Sequence, residues 1–361
     1  MRKCGSCDFP VKLNRFLEWH SDGTVIGSVR PRIPLMFIEV AEWEAVFAGV
    51  SERLGMPIDH ILIEAQKNIG KELYEMVRNA YVNIDVRRIP VSRWLRPLWF
   101  GRLIVAGMRD DLCAFGAGRP ALFAYRAGRT MGLRFENPSL ITMVVGNCLG
   151  IYESVEKMAG ARAEYGIEDG ELVVLLSPVS ERSEVEARLY LEEVQPGAGS
   201  LEFEVCDRCG VPLLLAQSLK WDIPRGMIVN ARSGEREGMV AVQSLAAIIR
   251  ELTRELGDGV PDILYDAQKT YTRQRLESVE PQGDDFMDGM LLDMGLRGMG
   301  YPTLFEYRDG TVTVTINSAY DQDLYAARIA AALERLTGKE SSIEWRIKEP
   351  RHSEYVISTT A

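Results

Sequence analysis

Cys4-Gly-Ser-Cys7-Asp-Phe-Pro10-Val-Lys-Leu13-Asn-Arg-Phe-Leu17-Glu-Trp19 returns later in the same chain as Cys206-Asp-Arg-Cys209-Gly-Val-Pro212-Leu-Leu-Leu215-Ala-Gln-Ser-Leu219-Lys-Trp221, at a constant offset of 202 residues. The same offset, with a small local adjustment near Gly23, carries Leu54-Gly55 onto Leu256-Gly257 and Ala65-Gln66-Lys67 onto Ala267-Gln268-Lys269. Farther along the offset falls to 182, where Gly118-Arg-Pro-Ala-Leu-Phe-Ala-Tyr-Arg-Ala-Gly128 faces Gly300-Tyr-Pro-Thr-Leu-Phe-Glu-Tyr-Arg-Asp-Gly310. Chance does not keep so many Cys, Trp, Pro and Gly positions in register, so the chain is a tandem duplication. The change of offset marks an insertion of about twenty residues in the first copy, between Lys67 and Gly118, at about 80–107. Val194 to Ser200, with Pro196, Gly197 and Gly199, reads as a linker. The expected division is a first repeat over 1–199 and a second over 200–361.

Length and composition set the frame for those repeats. A chain of 361 residues, 46% hydrophobic and 26% charged, can bury a core in each half. Its longest apolar runs, such as Leu172 to Leu176, are far short of the ~20 residues that span a bilayer. No apolar signal-peptide core follows Met1-Arg-Lys-Cys4, so the expected location is the cytoplasm. A formal net charge of −10 argues against a nucleic-acid partner, whose phosphates require a basic face.

Within each copy the apolar period changes from helical to strand-like. Ile58, Ile61, Leu62, Ala65, Ile69 and Leu73 follow helical spacing, as do Leu245, Ile248, Ile249, Leu252 and Leu256. Gly55 and Gly257 stand where a helix would end. Thr311 to Ile316 and Ser342 to Ile347 alternate with period two, and Glu186 to Leu191 is the weaker match in the first copy. A further helix, ending near Gly160 and Gly338, separates the strand pairs. Each copy is thus expected to be α+β, with helices first and then a small antiparallel sheet interrupted by a helix.

Several strings in this order resemble the vinyl-4-reductase domain and the segment preceding it in the aromatic-sensing part of bacterial enhancer-binding activators. In the first copy they are Asp22-Gly-Thr-Val-Ile26, Glu44 to Gly55, and the helix with Ala65-Gln66-Lys67 and Gly70. Gly116-x-Gly118, Glu136-Asn137-Pro138 and Cys148-x-Gly150 opening a helix follow, with Gly298-x-Gly300 and Ile316-Asn317-Ser318 as their second-copy counterparts. The resemblance implies a fold shared with haem-NO-binding and vesicle-tethering domains, holding a small apolar or aromatic molecule, such as a hydrocarbon, between helices and sheet. Two departures stand beside it: the sequence holds neither an ATPase module nor a DNA-binding helix pair. The several-cysteine zinc site of related sensors is not carried over either, since that region offers Cys148 alone.

The chemistry-bearing feature is the pair of knuckles. Cys4 and Cys7, like Cys206 and Cys209, present two thiolates from one turn, which is half of a tetrahedral zinc site. A pseudo-twofold arrangement could bring all four to one ion. The alternatives are an iron–sulfur cluster on the same thiolates, dithiol redox chemistry, or four unliganded thiols. His20 is a rival ligand, but Asp222 replaces it in the second copy.

The insertion sets five arginines among aromatics over 87–102, including Arg93, Trp94, Trp99 and Phe100. It reads as a lid over a pocket, as a docking surface for a protein partner or as an interfacial membrane element, the last disfavoured because Pro90 and Pro97 interrupt a continuous amphipathic helix. The bland alternative is a loop whose apolar side chains anchor on the core while its arginines stay solvated. Cys113 and Cys148 read as core residues, and so do Phe123, Tyr125, Phe305 and Tyr307. Asp110-Asp111 and Asp284-Asp285 read as solvated. No Walker loop, Gly-x-Ser-x-Gly elbow or dinucleotide fingerprint is present, so no active-site constellation is visible. The expectation is a non-catalytic sensor, carrier or accessory subunit. A metal- or cluster-dependent reductase, and a scaffold docking through the insertion, stand as alternatives. The first copy, with its Met- and Trp-rich middle, is the expected ligand-binding half.

Overall fold

The computed structural model describes residues 1–28, 32–81, 106–180, 193–280, 285–349 and 351–360. After the first knuckle come α1 (Val11–Asn14), β1 (Leu17–Trp19), β2 (Val25–Gly27) and β3 (Pro34–Glu39), which runs directly into α2 (Val40–Leu54). There follow α3 (Asp59–Tyr81), α4 (Ala106–Ala114), β4 (Arg119–Arg126), β5 (Thr130–Glu136), α5 (Ile141–Glu156), β6 (Gly160–Glu168) and β7 (Glu171–Val179). The second series repeats the kinds and order. It runs α6 (Leu213–Ser218), β8 (Leu219–Asp222), β9 (Met227–Asn230), β10 (Arg236–Ala241), α7 (Val242–Leu256) and α8 (Val260–Leu276). It continues with α9 (Asp285–Leu296), β11 (Leu304–Arg308), β12 (Thr311–Ile316), α10 (Gln322–Thr337), β13 (Ser341–Glu349) and β14 (His352–Thr359). The fold is α+β, with every strand pairing antiparallel.

Two four-stranded sheets share one topology, β4-β5-β7-β6 and β11-β12-β14-β13. A third, six-stranded sheet is built jointly in the order β1-β2-β3-β10-β9-β8. Its middle pair sets Phe37 opposite Met239 and Ile38 opposite Gly238, so a pseudo-twofold axis passes between β3 and β10. Those strands are buried almost throughout, which explains why they carry no alternating signature.

Each N-terminal segment then docks on the four-stranded sheet unit of the opposite copy. Gly300 N–H donates to Gly23 O, Tyr301 N–H to Asp22 O, and Phe37 N–H to Arg297 O. The mirror set is Gly118 N–H to Gly226 O and Met239 N–H to Phe115 O. The approach is close enough to require glycine. Gly116 has φ 77, and a Cβ there would lie 2.6 Å from Glu237 O; Gly298, with φ 85, would meet Leu35 O at 2.3 Å. The Gly-x-Gly pairs of the sequence are therefore backbone seats for the exchanged segments.

The largest core follows the same exchange. Trp43, Val46, Phe47 and Val50 of α2 pack with Ile248 and Leu252 of α7, Leu264 of α8, and Leu324, Ile329 and Leu333 of α10. Fully burying such side chains contributes about 1.5–3 kcal/mol each. A second core around the knuckles mixes Phe9, Leu13 and Phe37 with Val211, Leu215 and Trp221. In the first copy α3 crosses α5 in backbone contact at Gly150, where a Cβ would lie 2.0 Å from Lys67 O. The partner of that crossing is a buried ion pair: Lys67 Nζ lies 2.7 Å from Glu64 and 3.7 Å from Glu153. Lys269 and Glu334 repeat it at 3.0 Å.

Several expectations are corrected. The strand equivalent to β13 is β6, not Glu186 to Leu191, which lie outside the described residues; the small residues Gly160, Ala161, Ala163 and Gly166 hide its alternation. Gly160 opens β6 rather than closing a helix, because α5 stops at Glu156 with Lys157 as its left-handed cap. Cys148 lies mid-helix in α5, and does not open it. Phe123 is 52% exposed, because a bulge between Leu122 and Ala124 turns it off the core face. Asp111 is not free in solvent but pairs with Lys12 at 2.5 Å.

Candidate metal centre and cavity

Each knuckle is a tight turn closed by its own backbone. Cys4 N–H donates to Phe9 O and Asp8 N–H to Cys4 O; in the second knuckle Cys206 N–H donates to Val211 O and Gly210 N–H to Cys206 O. Asp8 and Gly210 take the left-handed conformation that the turn requires, with φ 58 and 76. Lys3 bridges Pro10, and Val205 bridges Pro212, pinning the base of each turn. Asn14 Nδ2 then donates across to Cys209 O at 2.6 Å.

This places the four sulfurs together. Cys4 Sγ is 4.0 Å from Cys206 Sγ, Cys7 Sγ is 3.4 Å from Cys209 Sγ, and all four lie within 4.8 Å of one another. A tetrahedron with ~2.3 Å arms has edges of about 3.8 Å, so the spacing fits one ion. A polynuclear cluster, several ångströms across, would hold its sulfurs farther apart. Cys4 and Cys206 are buried, while Cys7 and Cys209 are half-buried. Backbone N–H groups of Ser6 and Cys7 pull the Cys4 thiol down to about 6, and those of Arg208 and Cys209 lower Cys206. Burial pushes Cys7 and Cys209 up. Each knuckle therefore pairs one thiol that gives up its proton more readily with one that burial makes more reluctant to do so.

His20 stands apart from the four sulfurs, with Nε2 3.8 Å from Glu18. Cys113 and Cys148 are buried singly, and burial pushes their thiols up to about 11 and about 12. Arg93, Trp94, Trp99 and Phe100 lie outside the described residues.

Between α3, α4 and α5 of the first copy and the six-stranded sheet lies a cavity of about 110 Å³. Ile69, Phe115, Met143 and Val144 line one side; Leu35, Met239, Ala241 and Ser244 line the other. The sequence suggests a pocket within one repeat, between its helices and its own sheet. The exchange instead sets β10 and α7 of the second copy into the wall. Gln66, visible in the sequence only as part of a repeated tripeptide, is one of the polar members of that wall, with Asn147, Ser244, Lys12 and Asp111. A wider, open cleft of mixed charge borders Cys7 and Cys113 and encloses nothing.

No protein-family model and no curated protein matches the chain. Among solved structures it is similar to an H-NOX variant of T. tengcongensis, at 14% identity and TM-score 0.26, over 34% of this chain and 75% of that one. A Cs H-NOX variant carrying 4-cyano-L-phenylalanine is similar at 20% identity and TM-score 0.25, over 40% of this chain and 77% of that one. Among the described residues no helix is long and apolar enough to cross a membrane.

Proposed function

We propose that the chain is a pair of vinyl-4-reductase-like repeats, 1–199 and 200–361, joined by one structural metal ion on Cys4, Cys7, Cys206 and Cys209. In this reading the protein is a non-catalytic binder of a small apolar molecule, acting as a sensor, carrier or accessory subunit. The observation that carries it is the convergence of four sulfurs, two from each end of the duplication, at single-ion spacing. Zinc is the cation that best suits four closed thiolates without a vacant position, since it has no geometric preference of its own and needs no redox partner. The ion would fix the two exchanged segments against each other, where α1 and α6 begin. The apolar cavity beneath them supports the binding half of the reading.

Metal analysis of purified protein tests the first part. One zinc per chain is expected, with no visible absorbance. Cys4→Ser and Cys206→Ser should lower the metal content equally, because each removes a ligand of the same ion. Independent half-losses from the two variants would mean two sites, and a visible iron–sulfur spectrum would replace zinc with a cluster.

A further inference from the structure

We infer that the chain has one ligand site rather than two, specific for a compact neutral molecule with an apolar body and a single hydroxyl-type group. This deepens the small-molecule reading given above and rests on it. The cavity between α3, α5 and the six-stranded sheet is the competent site. The equivalent space in the other half is filled by the protein's own arginine–carboxylate pairs.

The polar end of the competent cavity identifies the ligand's polar group. Gln66 is 1% exposed, and its Nε2 donates to Asn147 Oδ1 at 2.8 Å. Its Oε1 has no partner among the described residues, and neither has the hydroxyl of Ser244, also 1% exposed. Both residues line the cavity. A buried carbonyl oxygen and a buried hydroxyl without partners carry a desolvation cost that a ligand hydroxyl removes, by donating to Gln66 and exchanging a bond with Ser244. The rest of the wall is chiefly aliphatic and aromatic. Its one ion pair, Lys12 with Asp111, is satisfied internally and leaves no charge to recruit an ionic ligand. The volume, about 110 Å³, is smaller than the ~150 Å³ that accommodates benzene, so the body is limited to a handful of carbons.

The other half shows what happens when the same space is given polar residues. The bond from Met239 N–H to Phe115 O is repeated from Phe37 N–H to Arg297 O, so Phe115 answers to Arg297. The buried Glu153 and Glu334 align α5 with α10 and bring Asn147 to Arg328. The repeat offset matches Leu35, Ala241 and Ser244 with Glu237, Glu39 and Glu42. Every exchange turns a neutral wall residue into a charged one, and the charges meet. Arg297 lies 2.8 Å from Glu237 and 2.7 Å from Asp293. Arg275 lies 3.1 Å from Glu39, which also accepts from the Tyr271 hydroxyl. Arg328 pairs with Glu42 and donates to the Tyr320 hydroxyl at 3.1 Å. Glu237 is fully buried and Arg297 7% exposed, and the Arg328–Glu42 pair is largely buried, so these two pairs occupy interior volume that the first half leaves open.

Titration followed by NMR tests this, with cyclobutanol and methylcyclobutane as probes. One molecule of cyclobutanol per chain is expected, with methylcyclobutane bound about tenfold more weakly, and Ser244→Ala should narrow that gap. Val144→Phe, which fills the cavity with an apolar ring, should abolish binding while the far-ultraviolet dichroism is retained. The paired change Leu35→Glu with Phe115→Arg should do the same by copying the filled half. Two bound molecules per chain, or a folded Val144→Phe protein that binds as before, would overturn the single-site assignment while leaving the binding reading intact. No saturable binding of either probe by the unaltered chain would overturn both.

Discussion

The indole N–H of Trp19 donates to the carbonyl oxygen of Leu296 at 3.1 Å, joining β1 of the first copy to the end of α9 in the second. Trp221 repeats the bond to Ala114 at 3.0 Å. Neither tryptophan touches its own copy's helix in this way, so the pair marks the exchange of N-terminal segments. Trp221 is 4% exposed and Trp19 only partly buried. Replacing either by Phe deletes the donor and strands a carbonyl at the end of a helix. Trp221→Phe should cost roughly 1–3 kcal/mol and Trp19→Phe less, because water can replace the donor there. Urea midpoints of the two variants check the order.

The candidate metal centre predicts a stability that depends on cation concentration. An ion bound only by the folded chain stabilises it by about 2.7 kcal/mol when free metal is a hundredfold above Kd. Adding a strong chelator should therefore lower the melting temperature of the parent chain. It should leave Cys4→Ser unaffected, that variant already lying near the chelated value. Equal chelator sensitivity in both proteins would remove the ion from the cysteines.

The ion pairs under the two helix crossings differ in how far water reaches them. Lys67 is 2% exposed between Glu64 and Glu153, whereas the side chain of Lys269 beside Glu334 is 24% exposed. Removing one member of a buried pair costs about 3–5 kcal/mol, and less where solvent can take its place. Lys67→Met should accordingly destabilise more than Lys269→Met. Adding Glu153→Gln to the former should recover part of the loss. Denaturant titration of the single and double variants measures the coupling directly.

Asp321 caps α10, its Oδ1 accepting from Leu324 N–H at 3.0 Å. Burial pushes its carboxyl up to about 6. The folded state thus holds its proton more tightly than the unfolded chain does. The stabilisation is complete below the unfolded value near 4 and is lost as pH rises through about 6. Asp321→Asn keeps a capping oxygen without the charge. It should stabilise the chain above pH 6, by at most about 3 kcal/mol and less where water reaches the half-buried group. Melting temperatures from pH 4 to pH 8 should show a shallower slope for the variant.

What could be read in the sequence depended on whether a residue's role was local. The knuckles and the duplication were legible because Cys, Trp and Pro are rare and their register is long. β12 and β13 were legible because one face of each is covered and the other is not. β3 and β10 were not, since burial on both faces erases the alternation. The exchange itself leaves no trace in composition: two copies of one interface carry the same pattern whether each segment docks on its own sheet or on its neighbour's. Gln66 and Arg297 show the same limit at single residues. One leaves a buried oxygen unpaired and the other completes a buried charge pair, and only the surroundings distinguish these from ordinary polar side chains.

The exchanged segments also fix an order of events during synthesis. Trp19 and Phe37 leave the ribosome roughly 260–280 residues before the carbonyls that receive them, on Leu296 and Arg297. At about 5–20 residues per second the interval is on the order of tens of seconds. Through that time the first segment has no seat, and its apolar strands must wait beside a nascent sheet that is itself waiting for Trp221 and Met239. Chains halted before Leu296 would therefore carry that apolar segment unseated, and would be the natural clients of whatever holds incomplete proteins in solution.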